Sequence, residues 1–93
     1  MKIEWFNRVW DANEDTPAEA ENMKVRSALL VALRDHIAEA GMTQKEAAKQ
    51  LEVTQPRISD LMRGRVDLFA VDRLLKMLAK AALRVEVKLG NAA

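Results

Sequence analysis

An all-α fold of four to five short helices, closed by one C-terminal strand, is predicted by three features of this sequence. Capping boxes open apolar runs with a period near 3.6, and Gly41 and Gly64 stand where such runs stop. The last apolar run instead alternates with period 2. A chain of 93 residues, 49% hydrophobic and 31% charged, can bury one modest core and no second one, so a single domain is expected.

The elements follow in order. Thr16, Pro17 and Glu19 read as an N-cap, a first-turn proline and the glutamate of a capping box, which opens a helix that Gly41 ends. Its second half carries the better apolar stripe, Leu30, Leu33 and Ile37, while the alanine-rich, acidic first half is expected to fray or break away. A second box, Thr43 to Glu46, opens a short helix ending near Gln50, with Ala47, Ala48 and Leu51 inward. Thr54 caps a third helix, in which Pro56 is tolerated because first-turn N–H groups have no intrahelical acceptor. Ile58, Leu61 and Met62 face the core and Gly64 ends it. A fourth helix is expected over Phe69 to Ala82, with Val71, Leu74, Leu75 and Leu78 inward. From Leu83 to Leu89 the pattern alternates, Leu83, Val85, Val87 and Leu89 to one side and Arg84, Glu86 and Lys88 to the other.

The formal charge of +1 hides an asymmetry. Up to Asn22, Lys2 and Arg8 face six acidic residues, whereas from Met23 onward thirteen basic residues outnumber eight acidic ones. An acidic segment beside a nucleic-acid-binding domain gives such a split. Cysteine is absent and His36 is the only histidine, which excludes a disulfide framework and leaves no cluster for a metal. Without Cys or Tyr, and with His36 expected on the surface beside Asp35, no convergent catalytic set is evident; neither an enzyme nor a cofactor is expected. No apolar stretch approaches a membrane span and the N-terminus lacks the pattern of a signal peptide, so a cytoplasmic location is expected.

Two short helices joined by a three-residue turn, the first rich in small residues, form the plan of a helix-turn-helix. Ala47 and Ala48 allow a close crossing, Val53 plugs the turn, and Ile58 and Leu61 anchor the second helix. Its exposed face is expected to carry Gln55, Pro56, Arg57, Ser59, Asp60 and Arg63. Gln suits adenine, Arg suits guanine or phosphate, and Asp can accept from cytosine. Gln44 and Thr54 stand at helix N-termini, where N–H groups and the dipole favour phosphate. Gln55 and Arg57 are expected to read or approach bases, and Gln44, Thr54, Ser59, Arg63 and Arg65 to position phosphates. Asp60 either reads cytosine or pairs with a neighbouring arginine, pairing being the preferred reading.

The stretch from Thr43 to Arg65 resembles the Xre family, the phage-repressor-like helix-turn-helix proteins, through its Thr-Gln start, the alanine at the helix crossing, Gln-Pro-Arg-Ile-Ser and the closing Arg-Gly-Arg. From about Val9 to Leu89 it is similar to the branch that includes HigA-type antitoxins. The resemblance implies a repressor-like domain of bacterial or phage origin that binds double-stranded operator DNA. It also implies a possible RelE/HigB-like toxin partner, which an antitoxin would neutralise by protein contact. Three positions depart from the family pattern: Glu52 and Ala82 replace usual glycines, and Ala70 replaces a usual serine cap.

The chain is thus expected to divide into an acidic, aromatic-bearing segment, 1–15, and the helix-turn-helix domain, 16–93. Trp5, Phe6 and Trp10 could anchor a protein partner or fold back on the chain's own core or dimer partner; their segment is expected to be dispensable for DNA binding. No second alternating run of comparable strength stands out to pair strand 83–89. Pairing with its copy across a homodimer is therefore expected, with Val85, Val87 and Leu89 as dimerisation residues.

Overall fold

In the computed structural model, which describes residues 2–5 and 16–90, the Thr16 hydroxyl accepts the Glu19 N–H at 3.0 Å and Pro17 takes the first helical position. Helix α1 then runs unbroken over Pro17–Glu39. Its first half does not break away, because alanine loses least on entering a helix and Ala20 is buried. The second half buries Leu29, Leu30, Leu33 and Ile37, and Gly41 ends the turn beyond it at φ +64°, a conformation that costs glycine little.

Helix α2, Gln44–Leu51, opens on the capping box. The Thr43 hydroxyl accepts the Glu46 N–H at 3.1 Å, and the Glu46 carboxylate accepts the Thr43 N–H at 3.0 Å. That backbone N–H, and after it the hydroxyl, holds the Glu46 carboxyl below its usual value. Helix α3, Gln55–Met62, follows after Glu52, Val53 and Thr54. Ala47, Ile58 and Leu61 are fully buried, so α2 and α3 meet through small and branched side chains, α3 packing also on α1 and α2 on the helix that follows α3.

A 3-10 turn, Val66–Leu68, then leads to helix α4, Val71–Lys80, which is shorter than the alternation of apolar residues suggested. Phe69 precedes α4 and is wholly buried. Leu74 and Leu78 point inward as expected, but Leu75 is 41% exposed and Met77 is buried in its place. Residues 74, 77, 78 and 81 form one stripe at helical spacing, and position 75 lies a third of a turn off it. Among the described residues no polar or charged side chain is buried, no helix is long and apolar enough to cross a membrane, and no His, Cys, Asp or Glu cluster could hold a metal.

The three departures from the family pattern have local consequences. Glu52 and Ala82 both adopt the left-handed conformation, at φ 56° and 58°, and Ala70 caps α4 without a side-chain hydrogen bond. Ala82→Gly is expected to raise stability by about 1 kcal/mol, and Ala70→Ser by about 1 kcal/mol, in urea denaturation. Glu52→Gly gains less, because it also removes the exposed ion pair with Lys80. A loss of stability in Ala82→Gly would show that its backbone is not held in the left-handed region.

The C-terminal strand is shorter than expected and has a partner within the chain. Strand β2, Glu86–Leu89, pairs in parallel with strand β1, Lys2–Trp5. The register sets Lys2 opposite Glu86, Ile3 opposite Val87, Glu4 opposite Lys88 and Trp5 opposite Leu89. The expectation that no run in the chain could pair this strand is therefore corrected. The alternation Lys-Ile-Glu-Trp matches Glu-Val-Lys-Leu in apolar phase and in opposite charge. Trp5 belongs to β1, while Phe6 and Trp10 lie outside the described residues. Val85 is half-buried against the core, whereas Val87 and Leu89 are 57% and 76% exposed in the single chain.

Candidate nucleic-acid interface

The turn between α2 and α3 is built from backbone bonds. The Val53 N–H donates to Ala48 O at 3.1 Å, as does the N–H of left-handed Glu52. The chain thereby reverses within three residues, and Val53 is half-buried under the turn. Thr54 then caps α3, its hydroxyl accepting the Arg57 N–H at 3.4 Å. A second link steadies α2: His36 Nε2 lies 3.1 Å from Gln50 Oε1, a bond in which the ε tautomer donates. His36 is thus a partly exposed link between α1 and α2.

At 3.6 residues per turn, Pro56, Ser59, Asp60 and Arg63 lie opposite Ile58 and Leu61, with Gln55 at the margin of the same side. Gln55, Pro56 and Arg63 are exposed, and Ser59 and Asp60 half-buried. Gln44, at the start of α2, and Thr54, at the start of α3, are both exposed. Arg65 is exposed just beyond Gly64, whose φ of +75° turns the chain after α3. Asp60 makes no ion pair among the described residues, so the preferred expectation of pairing with an arginine is not met. Its carboxylate is left as an acceptor on the outer side of α3.

Arg57 is placed differently from the rest. Its position is at the edge of the buried side of α3, and it is half-buried. The guanidinium donates to Leu68 O at 3.4 Å and lies 5.7 Å from the centroid of the Phe69 ring, within cation–π range. From the other side, Arg26 on α1 donates to Val66 O at 3.4 Å. The 3-10 turn is therefore held between two arginines, one from α1 and one from α3. Sequence reading missed this clamp, since periodicity marks where a residue sits but not which carbonyl its long side chain reaches. Phe69 beside a helix boundary was the one signal that an arginine had a ring to stack on.

The arrangement can present a polar helix face, flanked by two capped helix N-termini and by Arg63 and Arg65, to a polyanion. A family model described as a helix-turn-helix domain matches residues 12–90. A solved structure described as an XRE family transcriptional regulator is 32% identical, with a TM-score of 0.69, over 73% of this chain and 76% of that one. A comparison with curated proteins finds no match. The helices, their turn and this likeness over most of the sequence agree: the chain belongs to the Xre family of helix-turn-helix proteins.

Proposed function

We propose that the chain is a transcriptional repressor that binds palindromic operator DNA as a homodimer, with α3 in the major groove. The observation that supports this most directly is the outer side of α3, where Gln55, Pro56 and Arg63 are exposed opposite the fully buried Ile58 and Leu61. A helix anchored on one side and polar on the other enters the major groove without disturbing its own packing. In this reading Gln55 contacts a base, Asp60 accepts from a cytosine, Ser59 and Pro56 fit the groove wall, and Gln44, Thr54, Arg63 and Arg65 hold phosphates. Arg57 approaches DNA only if its guanidinium leaves Phe69. Two copies related by a two-fold axis would set their reading helices about 34 Å apart, one helical turn of DNA.

Selection of bound sequences from random duplex DNA tests this reading. The expected result is an inverted repeat with half-site centres about one turn apart. Gln55→Ala should then relax one position in each half-site and cost roughly 1 to 3 kcal/mol. Recovery of no preferred sequence would overturn the proposal. A gene for a small basic RelE/HigB-like toxin next to this one would make the same chain an autoregulating antitoxin, with the DNA-binding face unchanged.

A further inference from the structure

Strand β2 exposes all four of its residues. Val87 and Leu89 stand at alternate positions of one face that begins at Val85, which packs on the core, and they carry that apolar face out beyond it. Two paired strands with an uncovered apolar face are marginal in water, and three or more are needed for a stable sheet. Strand β1 occupies one edge of β2, and among the described residues no strand lies along the other edge.

We propose that this second edge pairs with the same edge of a second copy, antiparallel and centred on Val87, giving a four-stranded sheet in the order β1, β2, partner β2, partner β1. This rests on the homodimer of the proposed function and specifies where and in what register the copies meet. The register follows from the side chains. Centring on Val87 sets Val87 against its own copy and Val85 against Leu89, so one face of the central pair is wholly apolar. On the other face the same register sets Glu86 opposite Lys88, twice, by symmetry. Centring on Glu86 or on Lys88 would set like charges against each other, and centring between residues would mix valine or leucine with charge on one face. Of the registers centred within Glu86–Leu89, this one alone pairs opposite charges on one face and apolar side chains on the other.

Charge exchange tests this without DNA. Sedimentation of the wild-type protein at about 50 µM, a concentration where standard specific interfaces are occupied, is expected to show a dimer. Glu86→Lys and Lys88→Glu each place like charges opposite one another twice, and each should weaken dimerisation about tenfold or more. An equimolar mixture of the two variants should regain a dimer, as heterodimer, since every cross-pair is then of opposite sign. Mixing cannot repair the register with Lys2 or Glu4 inside one chain, so recovery reports the interface between copies. Unchanged helical circular dichroism in each variant confirms that both fold. A monomeric wild type, single variants that dimerise as wild type does, or a mixture that stays monomeric would overturn the inference. A monomer that still selects an operator overturns the interface alone, and a dimer that selects none overturns the DNA reading alone.

Discussion

Replacing Arg63 and Arg65 together by alanine is expected to weaken operator binding on the order of a hundredfold at 0.1 M salt, about tenfold for each phosphate deprived of its arginine. Both side chains are exposed, on either side of Gly64 at the end of α3, and neither packs in the core. The weakening should therefore be the same for operator and for unrelated duplexes, because phosphate contacts carry no sequence information. A plot of log affinity against log salt should become shallower by about 2, near 0.9 for each phosphate. Titrations at several salt concentrations read both quantities. An unchanged slope would mean that these arginines do not reach the backbone, and α3 would then have to dock in another orientation.

The largest effect on stability is expected at Phe69. Its ring is fully buried at the point where the chain enters α4, and the Arg57 guanidinium stacks on it. Phe69→Ala leaves a cavity and frees that arginine, at a cost of about 3 to 5 kcal/mol. Single domains have only about 5 to 15 kcal/mol in total, so the melting temperature should fall by roughly 15 °C or more. Phe69→Leu keeps most of the volume but not the stacking and should fall much less. Near-equal melting of Phe69→Ala and wild type would show that the ring does not fill the core between α1, α3 and α4.

Much of the helical plan could be read from side chains with local geometric demands. Thr16 and Thr43 each cap a helix by accepting the N–H three residues on, the glutamate closing a full capping box only at Thr43, and Gly41 and Gly64 take left-handed backbone where helical runs stop. Even the replaced glycine at Glu52 was readable, since the left-handed turn persists with glutamate in it. What escaped depended on packing between distant segments. The doublets Leu74-Leu75 and Met77-Leu78 allow two overlapping stripes on α4, and only packing against α1 selects the one that contains Met77. Strand β1 is four residues long, too short for alternation to stand out beside Trp5-Phe6, and its match lies at the far end of the sequence. The outer side of α3 was legible except for Arg57, which was expected on the exposed face and is half-buried against Phe69.

The pairing of Lys2 with Glu86 also fixes an order of events. In an unfolded chain, closing a segment of that length costs roughly 4 kcal/mol of entropy for a four-residue pairing that returns little. Once α1 and the rest of the core have formed, only the stretch between Trp5 and Pro17 has to close, and the cost falls to about 2 kcal/mol. The helices therefore assemble first and the sheet last. Because the sheet is not woven into the core, it can open and re-form while α2 and α3 stay folded. The proposed pairing between copies is thereby separated in time from the folding of the surface proposed to meet DNA.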